Sequence, residues 1–123
     1  DNDGDIDIVI SNNNGPANLL IRSGKPEANW VGFELVGEKT NRDAIGAKVT
    51  IETFGMIQTK YVNTAGSYLA ANDKRLLFGL GDQPTIETIT IQWPGGGSRS
   101  YSNLQSNRYY RIVEGGEISE QPY

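Results

Sequence analysis

The sequence predicts an all-β fold, an antiparallel β-sandwich or a partly open barrel, from three observations. First, the β-branched residues Ile, Val and Thr make up 26 of the 123 residues, and such side chains favour strands over helices. Second, 15 glycines and 11 asparagines supply turn residues along the chain,. Third, short segments of alternating apolar and polar residues recur at roughly 8–12 residue spacing, which is typical of sandwiches and barrels.

The N-terminal segment predicts a β-hairpin. From Asp5 to Ile10 an isoleucine stands at every second position, which gives a strand with one apolar face,. The stretch Ser11–Asn18 contains Asn-Gly-Pro and predicts a turn or loop, and Asn18–Arg22 predicts the second strand,. Ser23–Asn29, with a glycine and a proline, predicts a linker. We therefore place a domain boundary between residues 24 and 25.

The rest of the chain predicts one β-domain over residues 25–116 and a frayed tail over residues 117–123. Residues 68–72 are the best candidate for a helix, with a simple turn as the alternative. No segment is long enough for the crossover helix of a parallel βαβ unit. Alternation predicts strands at Trp30–Val36, Ala47–Glu52, Met56–Asn63, Arg75–Leu80, Ile86–Trp93, Arg99–Tyr101 and Tyr109–Glu114. The predicted core is Val31, Phe33, Leu35, Val49, Ile51, Phe78, Ile89, Ile91 and Trp93.

Composition narrows the classes of function. The formal net charge of −4 comes from four N-terminal aspartates, because the remaining acidic and basic residues are equal in number. Such a surface has no basic stripe, and no apolar run approaches the ~20 residues of a membrane-spanning helix, so we expect neither nucleic acid nor membrane as a partner. Cysteine and histidine are absent, which removes thiol nucleophiles, imidazole bases and the usual zinc ligands. The remaining carboxylates are scattered, and we expect no enzymatic activity.

The aspartates at positions 1, 3, 5 and 7, with Gly4 between them, place oxygen ligands at every second residue. Ca²⁺ takes six to eight oxygen ligands, and carboxylates around a glycine bend can supply them. An EF-hand is a poor match because a strand follows instead of a helix. The segment resembles the D-x-D-x-D-G-x-x-D loop of FG-GAP/VCBS repeats, which build extracellular β-propellers.

That resemblance implies a calcium site in a longer parent protein. Its side-chain ligands would include Asp1, Asp3 and Asp7, while Asp5 would offer its backbone carbonyl. The first carboxylate of the pattern would lie before residue 1, so we expect calcium binding by this chain to be weak. Without the rest of a propeller blade, the apolar hairpin is expected to fold onto the sandwich or to self-associate through residues 6–22.

A second resemblance covers residues 29–115, which are similar to the ASPIC/UnbV domain. The matching segments are Asn29–Gly37, Asn41–Ala47, Gly66–Leu69, Asn72–Asp73, Arg75–Leu76, Phe78–Gly81, Trp93–Pro94 with Gly96, and Asn107–Tyr109. The resemblance implies a secreted or cell-envelope protein, an upstream β-propeller in the same chain, and no established catalytic activity. The expected function is therefore a non-catalytic C-terminal module for adhesion or for packing against that propeller.

Two polar loops are candidates for contact with a ligand or partner, either a protein or a glycan. They contain Asn41, Arg42 and Asp43, and Asn72, Asp73 and Arg75. Asn, Asp and their charged neighbours also order loops through local hydrogen bonds, and this is the alternative interpretation.

A carbohydrate-binding module is the alternative function, and part of an enzyme of unknown reaction is the third. A sugar-binding platform would use Trp30, Trp93, Tyr68, Tyr101, Tyr109 and Tyr110. Most large aromatic side chains are expected in the core. Because Tyr109 and Tyr110 must point to opposite faces of a sheet, one of them is expected to be exposed.

Overall fold

The structure is a computed structural model that describes residues 1–22 and 28–122. Within these residues the chain forms ten strands, and no helix is long and apolar enough to cross a membrane. The strands are β1 (Ile8–Ile10), β2 (Asn18–Leu20), β3 (Asn29–Val36), β4 (Lys48–Thr53), β5 (Met56–Tyr61), β6 (Leu76–Gly81), β7 (Thr85–Gln92), β8 (Ser98–Gln105), β9 (Arg108–Val113) and β10 (Ile118–Gln121).

Two four-stranded sheets pack face to face, which confirms the predicted β-sandwich. The first, the β3 sheet, has the order β10-β9-β3-β6, and the second, the β4 sheet, has the order β5-β4-β7-β8. All neighbours are antiparallel except β3 and β9, which run parallel. A parallel pair needs a long connection, and here the four strands of the β4 sheet together with β6 supply it. Among the described strands neither sheet closes into a barrel.

The core between the sheets is the predicted one. All nine predicted core residues are buried, and the period-two alternation of β3, β4, β6 and β7, with Trp93 directly after β7, places them there. The ring of Phe33 lies 5.9 Å from that of Phe78 and 6.1 Å from that of Tyr110, measured between centroids. Apolar alternation was therefore sufficient to identify the buried face of each central strand.

Three segments differ from the sequence predictions. The prediction of a frayed tail after Gly116 is wrong, because Ile118–Gln121 pairs with β9 and Ile118 packs against the core. Strand β8 extends to Gln105, well beyond the predicted end, because an edge strand with mainly polar side chains carries little alternation. Residues 68–69 form a turn, not a helix. The predicted linker and the boundary at residues 24 and 25 fall mostly on residues 23–27, outside the described residues.

The N-terminal hairpin stands apart from the sandwich. Strands β1 and β2 pair antiparallel, with Ile8 opposite Leu20, as the sequence predicts. Every residue of both strands is exposed. The hairpin has therefore not folded onto the sandwich, which was one of the two expected outcomes.

Candidate functional site

The two predicted polar loops meet at the outer face of the β3 sheet. The Lys74 ammonium lies 2.6 Å from the Asp43 carboxylate and joins them. Together with the ends of β3 and β9 the loops enclose an open groove of about 500 Å³. We call this the charged groove, and its charged lining consists of Glu34, Arg42, Asp43, Asp73, Lys74, Arg75 and Arg111.

A buried glutamate holds the first loop in place. One oxygen of the Glu114 carboxylate accepts hydrogen bonds from three consecutive backbone amides, those of residues 38–40, at 2.9–3.0 Å, and from the Thr40 hydroxyl at 3.0 Å. Desolvation raises the pKa of the Glu114 carboxyl, but the hydrogen bonds from these amides outweigh it and hold the pKa below its usual value,. A side chain at Gly37 would not fit, because its Cβ would lie 2.1 Å from the Asn41 carbonyl oxygen.

Asn41 closes the next turn of this loop and does not line the charged groove. Its side-chain oxygen accepts from the Ile45 amide at 2.7 Å, and its side-chain nitrogen donates to the Ile45 carbonyl at 3.0 Å. This matches the alternative interpretation, in which a polar side chain orders its own loop. The adjacent Arg42 and Asp43 do reach the groove.

The second loop carries a tight local ion pair. Arg75 donates through Nε to the Asp73 carboxylate at 2.7 Å, and its backbone amide donates to the same carboxylate at 2.9 Å. Desolvation raises the pKa of Asp73, and the hydrogen bonds from Arg75 outweigh it, so the pKa lies below the usual value. Asn72 does not line the groove, and its backbone amide donates to the Thr64 carbonyl at 3.1 Å.

Apart from Lys74, which stands within the second predicted loop, the charged residues of the groove that sequence reasoning missed are Glu34 and Arg111. They are cross-strand neighbours in the parallel pair of β3 and β9, with 3.8 Å between the Arg111 Nε and the Glu34 carboxylate. Each stands at an outward position of its strand, which alternation does indicate. The parallel pairing that brings them together joins segments far apart in sequence, and no sequence signal identified it.

Arg75 also connects the charged groove to the N-terminal segment. Its guanidinium carbon lies 4.9 Å from the centroid of the Tyr109 ring, and its Nη1 donates to the Asn2 side-chain oxygen at 2.7 Å. The rings of Tyr109 and Trp30 are 5.0 Å apart between centroids. Gly4 packs on Trp30 so closely that a Cβ at Gly4 would lie 2.2 Å from the indole.

The packing of Trp30 and Arg75 on Tyr109 corrects the expectation that either Tyr109 or Tyr110 is exposed. Tyr110 points into the core, and Tyr109, on the outer face, is buried as well because Trp30 and Arg75 cover it. Of the six aromatic residues considered for a sugar platform, Trp30, Trp93, Tyr109 and Tyr110 are buried, Tyr101 is half-buried and Tyr68 is exposed. They do not form a shared exposed surface.

The N-terminal aspartates form local turns. Asp1 accepts from the Asp3 amide at 3.2 Å, and Asp3 accepts from the Asp5 amide at 2.9 Å. Asp7 accepts from the Arg22 amide at 3.1 Å, and Asp5 lies 3.5 Å from the Arg22 guanidinium. Over residues 1–22 and 28–122 no three acidic side chains are arranged to hold a metal ion. These carboxylates accept hydrogen bonds from nearby backbone amides, and the calcium site stays a prediction from the resemblance.

Comparison with protein families identifies the family to which the sandwich belongs. Residues 37–119, more than half of the chain, match the family described as ASPIC and UnbV. The chain belongs to the ASPIC and UnbV family. None of the curated proteins compared with the chain matches it.

The ASPIC and UnbV match covers both loops of the charged groove and Glu114, from just after β3 to β10. The predicted resemblance began earlier, at residue 29, and the match does not extend to β3 or to the N-terminal aspartates. Trp30 and Glu34 therefore lie outside the matched range, although both contribute to the outer face of the β3 sheet.

Proposed function

We propose that this chain is a non-catalytic module whose β3 sheet packs against the segment of chain that precedes it. In this proposal it is the C-terminal module of a secreted, propeller-bearing protein, with an adhesive or structural role. The contact of Gly4 with Trp30 carries the proposal, because it places the N-terminal segment on the outer face of the sandwich. The likeness of Asp1–Asp7 to loops of propeller repeats supports a β-propeller as the unit that precedes the sandwich.

The position of Trp30 explains why this face favours a packing role. Val31 and Phe33 point into the core, so Trp30 and Gly32 lie on the outer face of β3, where a large aromatic ring would ordinarily meet water,. Trp30 is nevertheless only 8% exposed. Burying a large apolar side chain contributes about 1.5–3 kcal/mol relative to leaving it exposed. Part of this stabilisation depends on the N-terminal segment remaining in place.

The ion pairs of the charged groove support a non-catalytic role. General acid–base catalysis works best with a group whose pKa is near the operating pH. Asp73 has the opposite property, because its hydrogen bonds with Arg75 lower its pKa despite desolvation. The carboxylate of Asp43 is likewise paired, with Lys74 at 2.6 Å. Such groups bind and orient more readily than they transfer protons.

A glycine substitution tests the packing role. Gly4→Ala places a methyl group where the indole of Trp30 lies, whereas Gly115→Ala introduces the same substitution at a glycine that also has positive φ but has no atom within 4 Å of its Cβ. In Gly4→Ala we expect faster hydrogen exchange of the amides of Asp3 and Asp5 and of the Trp30 indole N–H. The Trp93 indole, on the core side, serves as an internal reference and should not change.

The comparison between the two variants decides the outcome. Gly115→Ala is expected to leave the Trp30 signal as it is in the original chain. If Trp30 exchanges at the same rate in the original chain and in Gly4→Ala, the N-terminal segment does not cover it and the packing role is wrong.

A further inference from the structure

The charged groove contains two arginine side chains with hydrogen-bond donors that the described residues leave without a partner. Arg42 lines the groove and makes no ion pair with any residue of the described chain. The Nε of Arg111 is buried and has no hydrogen-bond partner within residues 1–22 and 28–122, since the Glu34 carboxylate, at 3.8 Å, is beyond hydrogen-bonding distance,. Buried donors in folded proteins nearly always have a partner. Because this Nε is not accessible to solvent, a ligand in the groove would meet the rest of the guanidinium, since the Arg111 side chain is 44% exposed and lines the groove.

The charges around the groove limit the ligand to a single negative charge. Among the residues that the structure describes, four cationic and three anionic side chains line it, which leaves one positive charge in excess. A carboxylate matches the planar geometry of guanidinium groups and forms charge-assisted hydrogen bonds with them. A polyanion would approach Glu34, Asp43 and Asp73 together and would be repelled.

The three carboxylates also indicate what the rest of the ligand carries. Ionised carboxylates only accept hydrogen bonds, so they favour a ligand with several hydroxyl donors. The described residues that line the groove include no aromatic side chain, so they offer no stacking surface of the kind that a neutral sugar would use. Its volume of about 500 Å³ lies within the ordinary range for small-molecule sites.

We propose that the charged groove binds a small hydroxylated monocarboxylate, the chemistry of a uronic acid, with the ligand carboxylate held by Arg42 and Arg111. Glu34, Asp43 and Asp73 accept hydrogen bonds from the ligand hydroxyls. Glu114 acts as a positioning residue, because its hydrogen bonds to residues 38–40 fix the loop that carries Arg42. The ligand carboxylate is held by Arg42 and Arg111, whereas the packing role is carried by Gly4 and Trp30, so the two proposals are tested on different residues.

Titration with sodium glucuronate, followed by amide and Arg side-chain NMR shifts, tests the proposal. We expect saturable shifts confined to residues of the charged groove, with an affinity that weakens as salt is added. Acetate carries the charge without the hydroxyls and glucose carries the hydroxyls without the charge. Each is expected to bind at least ~10-fold more weakly than glucuronate, because hydrogen bonds to charged groups are the stronger ones.

Matched arginine substitutions complete the test. Arg42→Gln and Arg111→Gln are each expected to weaken glucuronate binding by about 10-fold or more. Arg99→Gln, on β8 of the other sheet, should leave it unchanged. Because Arg42 is exposed, its variant is expected to fold even if the Arg111 variant does not. The proposal is overturned if glucuronate causes no groove shifts, if acetate or glucose binds as well, or if Arg99→Gln has the same effect as Arg42→Gln.

Discussion

The carboxylate of Glu114 accepts a hydrogen bond from the backbone amide of Thr40 at 2.9 Å, across the gap between the end of β9 and the loop that follows β3. The same oxygen accepts from the amides of Glu38 and Lys39. Three successive N–H groups directed at one oxygen form a small anion-binding concavity, which here is filled by a side chain of the same chain. The position of Arg42 in the charged groove therefore depends on a residue that does not line it.

The lowered pKa of Glu114 predicts how stability changes with pH. At pH values between the lowered pKa of the folded state and the unfolded-state pKa of about 4.3, Glu114 binds more protons in the unfolded chain than in the folded chain. The ionised carboxylate therefore stabilises the fold fully only above about pH 4.3. The contribution is lost as the pH falls through the lowered, folded pKa. In Glu114→Gln we expect a lower urea midpoint at pH 7 and a smaller loss of midpoint on acidification than in the original chain. Urea unfolding at pH 7 and pH 3 measures both effects.

Glu52→Gln is the control for this comparison, because Glu52 is an exposed residue of β4. It should unfold at nearly the original midpoint at both pH values. A Glu114→Gln variant with the pH dependence of the original chain would contradict the assignment of the acid-sensitive contribution to this carboxylate.

Substitution by alanine is expected to destabilise the fold at Gly32 and to stabilise it slightly at Gly79. A Cβ at Gly32 would lie 2.1 Å from the ring of Tyr109, whereas a Cβ at Gly79, on the neighbouring strand, would have no atom within 4 Å. Gly32→Ala must displace the Tyr109 ring, and overpacking of this kind costs about 1–3 kcal/mol. Gly79→Ala should change the free energy of unfolding by less than about 1 kcal/mol and in the stabilising direction. Equal destabilisation of both variants in chemical denaturation would show that the ring does not limit this position.

Alternation of apolar residues was sufficient to predict the core, because each central strand buries one face in the same inter-sheet layer. It could not predict that Trp30 and Tyr109 are buried on the opposite face. Their burial depends on Gly4 and Arg75, which come from distant parts of the chain. Strand β10 was missed for a related reason, since its residues are ordered mainly by hydrogen bonding to β9.

The charged groove was half predicted. Arg42, Asp43, Asp73 and Arg75 stand in loops whose composition is typical of both binding and turn formation, and the structure places all four in one groove. Sequence alone could not distinguish these residues from Asn41, whose side chain orders its own loop, or from Asn72, which does not line the groove. The choice depends on where each side chain points after the two sheets have packed.

Calcium titration is expected to show no binding in the micromolar range. The oxygens that would ligate the ion already accept hydrogen bonds from the Asp3 and Asp5 amides, and Arg22 lies beside Asp5 and Asp7. Ca²⁺ would have to compete with these partners to gather the six to eight oxygen ligands that it takes. Isothermal titration calorimetry of the original chain and of Asp3→Ala should give the same small signal. Micromolar binding that disappears in Asp3→Ala would contradict this prediction.

The exposed hairpin predicts self-association of the chain. Ile6, Ile8, Leu19, Leu20 and Ile21 line an open apolar groove of about 460 Å³. A two-stranded sheet leaves both edges with unpaired backbone groups, and such edges pair with other chains when nothing covers them. Sedimentation of the original chain should therefore give a mean mass that rises with concentration.

Paired lysine substitutions locate that contact on the hairpin. Ile8 and Leu20 are directly opposite each other in β1 and β2, so Ile8→Lys combined with Leu20→Lys places two charges on the same apolar face. Each lost apolar burial corresponds to about 1.5–3 kcal/mol, which predicts a dissociation constant at least ~10-fold higher for the double variant. Ile57→Lys alters a residue of β5 that is also exposed and should leave association unchanged. If Ile57→Lys separates the copies and the hairpin variant does not, the contact lies on the β4 sheet. If the original chain stays monomeric at every concentration, the hairpin does not mediate self-association and the prediction is wrong.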